Sequence, residues 1–292
     1  MNNSFFSSAQ ADDPFYNRIR NNFNPDYNGA RDFVEAMWQK YEAYAEPDFL
    51  DNAMKDFHAK SWEMYLGCLF KNYGFDLQKK TKKEGPDLHL RRNNRSIWVE
   101  ATAPESGTGA NAVPDYRFGE VSDQPVEQII LRLTSAIQEK FKKHKGYIGK
   151  STIKPDDFFV IAINGGRIRH AILEQDIPYI VKSVLPFGNL VLTLRKDPLE
   201  IVNSNYEYRD TISTAKGSPV ATNIFENKDY AGISAVLYSW MNIVSRPNKI
   251  GVEVHLVHNP LADNKLPLGI FPFGTEWWIE GDELIRKSYA VV

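Results

Sequence analysis

The chain has 292 residues, of which 42% are hydrophobic and 13% aromatic, and its formal net charge is −2 at pH 7. Apolar content of this size predicts a folded globular protein with a sizeable core. The nearly neutral charge excludes a global electrostatic attraction to nucleic acids or anionic membranes, so any such contact requires a local basic patch.

Three features of the sequence bear on its environment. The single cysteine, Cys68, excludes an internal disulfide, and its apolar surroundings in "MYLGCLF" predict a buried, unreactive thiol. The stretch "MNNSFFSSAQADDPFYNRIR" lacks the basic start and continuous apolar segment of a signal peptide. No window approaches the roughly 18 apolar residues of a membrane helix. We therefore predict a soluble, cytoplasmic protein without a membrane partner.

Residues 1–46 predict an N-terminal arm that is partly irregular. The arm is rich in Asn, Asp and Ser, carries scattered aromatic residues and contains one helical stretch, "ARDFVEAMWQKYEAYA". The segment after it predicts a stronger helix that ends at Gly74, because its apolar residues recur near helical spacing. These residues are Leu50, Met54, Phe57, Leu66, Leu69 and Phe70.

Three strands, a loop, a helix and a further strand are predicted next. The three strands are "FDLQKK", "DLHLRR" and "SIWVEATAP", and the turn "NNR" joins the last two into a hairpin. Residues 105–124 are rich in Gly, Asn, Pro and Asp and predict a long loop, and residues 125–145 predict an amphipathic helix. The continuous apolar run "FFVIAING" predicts a strand that is buried on both faces.

The rest of the chain alternates short strand candidates with polar connections. The candidates are "NLVLTL", "ISAVLYSW" and "VEVHLVH", and Pro178 interrupts a helical stretch before them. Neither an internal repeat nor a linker-like run divides the chain. We therefore predict a single α/β domain over residues 47–292, with a central mixed sheet flanked by helices. Residues 164–292 are its C-terminal extension.

Two carboxylates stand at the ends of the predicted hairpin strands. Asp87 begins "DLHLRR" and Glu100 lies near the end of "SIWVEATAP", so a tight turn brings them close. Alternation of side chains along a strand puts Glu100 and Thr102 on one face. Mg²⁺ is typically bound by one or two carboxylates with waters and phosphate oxygens, so this pair suits phosphodiester hydrolysis. A third carboxylate, Glu63, shares a largely apolar helix face, where it is costly unless paired or metal-bound.

This arrangement resembles the PD-(D/E)XK nuclease superfamily, which has the restriction-endonuclease-like fold. The matching letters are "PD" at residues 86–87 and "EAT" at residues 100–102, within a similar order of helices and strands. The resemblance covers about residues 47–163, and the specificity of so short a motif comes from its placement. It implies a three-layer core and a metal-dependent deoxyribonuclease.

The resemblance also implies roles for individual residues. Asp87, Glu100 and the backbone carbonyl of Ala101 would hold Mg²⁺, with Mn²⁺ as an alternative, and Glu63 would assist. The implied partner is DNA, with RNA as the alternative. Since enzymes of this type often dimerise to cut two strands, a homodimer is a further expectation.

One motif position departs from the family pattern. Thr102 stands where these nucleases carry a lysine that positions the attacking water and stabilises charge in the transition state. A threonine hydroxyl can hydrogen-bond a water but carries no charge. The first candidate for a substitute cation is Arg132 on the predicted helix, and Lys140 is a weaker one. The alternative for Arg132 is a solvated position on the helix flank.

Two other hypotheses stay open. In the first, the chain is a catalytically inactive member of this fold that binds nucleic acid or protein. In the second, it is an unrelated α/β protein whose acidic residues are structural. Basic residues near the carboxylates favour phosphate contacts. They are Lys79, Lys80, Lys82, Lys83, Arg91, Arg92, Arg95 and the cluster "KFKKHKGYIGK" at 140–150. We expect the loop at residues 105–124 to border the site.

Overall fold

The computed structural model describes residues 4–21, 25–80, 85–116, 119, 121, 123–150, 152–174 and 176–290. The helices in these ranges are α1 (Pro14–Asn21), α2 (Pro25–Tyr41), α3 (Phe49–Ala53), α4 (Phe57–Asn72), α5 (Val126–Gly149) and α6 (Tyr179–Val184). The strands are β1 (Asp76–Gln78), β2 (Leu88–Arg92), β3 (Arg95–Thr102), β4 (Phe158–Asn164), β5 (Phe187–Arg195), β6 (Glu200–Tyr208), β7 (Thr211–Ser213), β8 (Pro219–Ala221), β9 (Ala235–Ser239), β10 (His255–His258), β11 (Thr275–Glu280) and β12 (Glu283–Ser288).

Eight of these strands form one central sheet, in the order β1-β2-β3-β4-β9-β10-β11-β12. The pairs β3–β4, β4–β9 and β10–β11 are parallel, and the remaining neighbours are antiparallel. The predicted α/β class with a mixed central sheet is therefore confirmed. Strands β5–β6 and β7–β8 form two separate two-stranded ribbons.

Helices cover both faces of this sheet. The apolar side chains of α4 pack on one face with Ile97 and Val99 of β3, and those of α5 and α6 pack on the other with Phe159 and Ile161 of β4. All seven residues of β4 are buried, as predicted for "FFVIAING". The indole of Trp62 on α4 also donates a hydrogen bond to the carbonyl of Ala162 at 3.1 Å. Helix, sheet and helix thus form three layers.

The hairpin between β2 and β3 has the predicted turn. Asn93 and Asn94 both adopt positive φ, 51° and 58°, between the paired residues Arg92 and Arg95. Asparagine tolerates this left-handed conformation, which two-residue hairpin turns of the favoured twist require. The turn therefore sets the register of β2 against β3, and with it the positions of the candidate carboxylates.

The predicted N-terminal arm and C-terminal extension both pack into the fold around the central sheet. The predicted C-terminal extension supplies β9 to β12, half of the strands of the central sheet. The predicted N-terminal arm contains α1 and α2, and its Tyr16, Val34 and Trp38 are buried in the core on the α4 face. Pro178 immediately precedes α6, as expected of a residue that interrupts a helix. Within the described ranges, no helix is long and apolar enough to cross a membrane.

Helices α2 and α4 approach each other at a glycine. A Cβ atom added to Gly67 would lie 2.4 Å from the ring of Tyr41, whereas one added to Gly146 on α5 would meet no atom within 4 Å. Gly67 thus allows Tyr41, which is buried, to lie against α4.

We expect Gly67→Ala to lower the free energy of unfolding by about 1–3 kcal/mol, the usual cost of overpacking a tight contact. Gly146→Ala is the matched control and should raise it by roughly 0.5–1 kcal/mol, because alanine favours the helix and meets no obstacle. Urea unfolding followed by circular dichroism measures both values. Equal effects of the two substitutions would contradict the close approach.

Candidate active site

The register of the hairpin brings the two predicted carboxylates to one place. Leu88 of β2 pairs with Val99 of β3, so Asp87, the residue before β2, lies beside Glu100. The Asp87 Oδ2 atom accepts a hydrogen bond of 2.7 Å from the backbone N–H of Ala101. The side chain of Asp87 therefore binds the backbone of β3 just beyond the last β2–β3 pair.

Glu100 is buried beneath α5 and is surrounded by donors from that helix. Its Oε1 atom lies 3.1 Å from Lys140 Nζ and 3.3 Å from Lys143 Nζ, and its Oε2 accepts a hydrogen bond of 3.0 Å from the Tyr147 hydroxyl. Only 2% of Glu100 is exposed. A carboxylate so buried is costly unless it is paired and hydrogen-bonded, and these three residues meet that requirement.

The contacts with Glu100 also affect the ionisation of Lys140. Burial lowers the pKa of Lys140, but the negative charges of Glu100 and Asp87 outweigh it and raise the pKa above its ordinary value. Lys140 is therefore a charged ammonium group at neutral pH. It lies within hydrogen-bond reach of Glu100, at 3.1 Å from Oε1.

Asp87 is less well compensated than Glu100. Burial raises its pKa most, and the negative charges of Glu100 and Glu63 raise it further, against the opposing effects of Lys140 and Lys80. The ionised form of Asp87 is thus disfavoured by its own neighbours. A carboxyl group with such a shift, next to a specific charged partner, is typical of functional sites.

Glu63 lies on α4 and is held by two partners. Its Oε1 accepts a hydrogen bond of 2.9 Å from the Tyr41 hydroxyl, and its Oε2 lies 2.8 Å from Lys60 Nζ. Lys60 also pairs with Glu46 at 2.7 Å. Glu63 is therefore a buried salt-bridge residue whose charge also acts on Asp87.

The other predicted site residues take separate positions. Thr102 is the last residue of β3 and lies two positions beyond Glu100, on the same strand face. Arg132 does not contact Glu100; its Nε donates to the carbonyl of Glu105 at 2.8 Å. Arg132 lies about two helical turns before Lys140 on α5. Lys140, the weaker of the two predicted cations, is thus the one that contacts Glu100.

The predicted basic patches mostly serve the protein itself. Lys80 pairs with Glu46 at 3.4 Å, and Arg95 donates to the carbonyl of Asp156 at 2.8 Å. The cluster at 140–150 supplies the two lysines that contact Glu100. Lys82 and Lys83 lie outside the described residues.

Three residues of this site escaped the sequence prediction, Tyr41, Lys60 and Tyr147, and Lys143 was predicted only as part of the basic cluster at 140–150. Their spacing carried a signal, because positions 140, 143 and 147 share one side of a helix and Lys60 precedes Glu63 by one turn. Which carboxylate they would meet depended on the packing of α4 and α5 against the sheet.

Asp87 and Glu100 are the carboxylates that could hold a Mg²⁺ ion, and both oxygens of Glu100 are already bound by side chains of α5. Asp87 and Glu100 provide two carboxylates, the number that such Mg²⁺ sites commonly use. Over the residues that the structure describes, no group of three or more His, Cys, Asp or Glu side chains is arranged to hold a metal ion. Burial is the main cause of the raised pKa of Asp87, and a cation there would relieve the added repulsion from Glu100 and Glu63.

Comparison with known proteins adds no family assignment. No protein-family model, no curated protein and no solved structure matches the chain. The resemblance to PD-(D/E)XK nucleases thus depends on the motif and on the order of elements around it.

The unequal compensation of the two carboxylates predicts opposite effects of neutralising them. A raised pKa in the folded state stabilises the protein at low pH, and this stabilisation is lost as pH rises through the folded-state pKa. Asp87→Asn should therefore raise the free energy of unfolding by roughly 1–2 kcal/mol near pH 8, with no gain near pH 4. Glu100→Gln should lower it by about 3 kcal/mol, because buried Lys140 loses its counter-charge.

Chemical unfolding in EDTA at both pH values measures these differences. Thr102→Val, which changes neither charge nor size at the same strand end, serves as the control. A loss of stability on Asp87→Asn near pH 8 would show that the carboxylate is an ordinary structural residue.

Proposed function

We propose that the protein is a Mg²⁺-dependent phosphodiester hydrolase of the restriction-endonuclease-like type that acts on DNA. The observation that carries the proposal is the pair of carboxylates at the base of the β2–β3 hairpin. Asp87 lies beside Glu100 with a raised pKa, and the charged Lys140 contacts Glu100 at 3.1 Å. Carboxylates for a cation and an ammonium group for a phosphate oxygen are the groups that phosphodiester hydrolysis requires.

Each side chain has a role in this proposal. Asp87, Glu100 and the carbonyl of Ala101 would hold Mg²⁺, which neutralises phosphate oxygens and lowers the pKa of a bound water. The Thr102 hydroxyl accepts a hydrogen bond from the attacking water and orients it. Lys140 stabilises the negative charge that develops on the phosphate oxygens.

The reaction is a hydrolysis that needs no further co-reactant. The oxygen of water forms a bond to phosphorus while the bond from phosphorus to one ester oxygen breaks. One proton of the water passes to solvent, and the leaving oxygen takes up a proton to become a hydroxyl group. The products are a phosphomonoester end and a hydroxyl end of the strand.

The second candidate function is a catalytically inactive module that binds nucleic acid or protein. The observation that favours it is the saturation of Glu100, both of whose oxygens already bind side chains of α5. A metal ion at Glu100 requires at least one of Lys140, Lys143 and Tyr147 to move. Lys143 is the more exposed of the two lysine partners, so it is the one that can most readily leave Glu100.

Cleavage of DNA tests the proposal directly. Wild type should cleave linear and supercoiled DNA with Mg²⁺ or Mn²⁺ and not with EDTA, and Asp87→Ala or Glu100→Ala should abolish cleavage because each removes a metal ligand. Lys140→Ala should lower the rate by about 10²-fold or more, the usual cost of removing a group that stabilises developing charge. Thr102→Ala should cost less, since only a hydrogen bond to water is lost.

A matched control and a discriminating variant complete the test of the two candidate functions. Lys142→Ala removes an exposed lysine from the same helix and should leave the rate unchanged. Thr102→Lys restores the family pattern and should add little to an active enzyme, but would generate cleavage in an inactive one that retained its metal ligands. If neither wild type nor Thr102→Lys cleaves DNA or RNA, and calorimetry detects no Mn²⁺ binding, the binding module is the better proposal.

A further inference from the structure

A second polar site lies where the parallel strands β3 and β4 end. A cavity of about 410 Å³ opens there, and its lining residues are His58, Glu105, Ser106, Gly107, Arg167 and Arg169. The loop residues of this lining follow shortly after β3, and the two arginines follow shortly after β4. Open α/β sheets commonly bind ligands in the crevice at the carboxyl ends of their parallel strands.

The arginines of this cavity are paired with carboxylates that water reaches. Arg167 contacts Glu105 and also Asp56, the latter at 2.9 Å, and Arg169 contacts Asp115 at 2.6 Å. The three carboxylate side chains are 64%, 49% and 72% exposed, respectively. Ion pairs whose carboxylates are exposed to water contribute little to stability, so a competing anion can displace these carboxylates at low cost.

The backbone around the cavity is held more firmly than these carboxylates. The hydroxyl of Ser106, which is buried, accepts a hydrogen bond of 3.0 Å from Arg169 N and donates one of 3.3 Å to the carbonyl of Arg167. Arg132 Nε donates to the carbonyl of Glu105. The arginines thus lie on an ordered frame, and the Glu105 carboxylate is an exposed partner of Arg167.

The histidine of the cavity adds no charge at neutral pH. Burial, together with the nearby positive charge of Arg167, lowers the pKa of His58 to about 4. Its ring stacks on Phe15 with centroids 4.8 Å apart. The positive charge that a ligand would meet therefore comes from the two guanidinium groups, which bind phosphate oxygens in pairs.

We infer that this cavity binds a phosphate group of the nucleic-acid strand, and that Glu105 occupies Arg167 as an internal competitor in the free protein. The identity of the strand rests on the proposed function. Arg132, Lys140 and Lys143 continue along one side of α5 from the cavity to Glu100. A free phosphate ion would not use this basic stripe, whereas a strand contacts several cations in succession.

The dimensions agree with a strand along α5. Arg132 and Lys140 are about 12 Å apart along the helix axis. One strand of duplex DNA rises about 3.4 Å per nucleotide, so this separation corresponds to a few nucleotides of a strand that follows the helix.

Binding of a fluorescein-labelled DNA oligonucleotide, measured by anisotropy in EDTA over a range of salt concentrations, tests the inference without cleavage. Arg167→Gln should weaken binding about tenfold and reduce the slope of log affinity against log salt by about 0.7–0.9, the value of one phosphate contact. Arg169→Gln, a more exposed position, is the second variant in case Arg167→Gln unfolds. Glu105→Gln should tighten binding by several-fold.

Matched controls remove the same charges elsewhere. Arg195→Gln, on the β5–β6 ribbon, and Glu283→Gln, on the edge strand β12, lie on exposed surface away from both sites and should change neither affinity nor slope. The inference is overturned if both cavity arginine variants bind like Arg195→Gln, or if Glu105→Gln binds no more tightly than Glu283→Gln.

Two further outcomes show whether the cavity binds a free anion or a strand, and whether the cavity assignment survives if the proposed hydrolase activity fails. If inorganic phosphate raises the melting temperature in an Arg167-dependent way while the oligonucleotide does not bind, the site takes a free anion and the strand assignment is wrong. If the oligonucleotide binds through the cavity arginines but wild type cleaves nothing with Mn²⁺, the hydrolase proposal fails and the cavity assignment stands.

Discussion

A carboxylate buried between a sheet and a helix must be neutralised, and the site is arranged around the way Glu100 meets this requirement. Its three donors come from successive turns of α5, so one helix both covers β3 and compensates its charge. Because α5 connects the parallel strands β3 and β4, its path across the sheet is set by the crossover. Packing and charge compensation therefore favour the same placement of the helix.

Glu276 is a buried carboxylate whose environment differs from that of Asp87, whereas burial raises the pKa of Glu174 and Glu253 as it raises that of Asp87. Glu276 accepts hydrogen bonds from His258 at 2.7 Å and Tyr289 at 2.6 Å, and from the N–H of Gly269 at 2.9 Å. Burial raises the pKa of Glu276, but these bonds outweigh burial and lower it below its ordinary value. The pKa of Asp87 is raised instead. Glu276 thus has the environment of a structural carboxylate, and Asp87 has an environment that a bound cation would improve.

The polar groups of the α5 layer meet at the carboxyl ends of β3 and β4. Glu100 and Thr102 lie within the end of β3, and the loop after it reaches Arg132 and Arg167. Strand β4, by contrast, is buried throughout and is apolar up to its last residue, Asn164. Polar groups at the ends of β3 and β4 can reach water without disturbing this core.

Local sequence was sufficient for the hairpin and for the position of its carboxylates. The turn at Asn93 and Asn94 allows few registers, and a two-residue periodicity then places Asp87 beside Glu100. The continuous apolar sequence of β4 likewise predicted that this strand is buried. These features depend on residues that are close together in the sequence, so residue propensities and the periodicity of apolar residues predict them.

Long-range packing was needed for the cations and for the extent of the sheet. Arg132 and Lys140 lie about two turns apart on one helix, so periodicity gives both the same side and does not distinguish them. Which of them reaches Glu100 depends on how α5 packs against the sheet, where Arg132 bonds the carbonyl of Glu105 and Lys140 contacts Glu100. In the same way, β9 to β12 joined the central sheet through non-local pairing with β4, which no local pattern encodes.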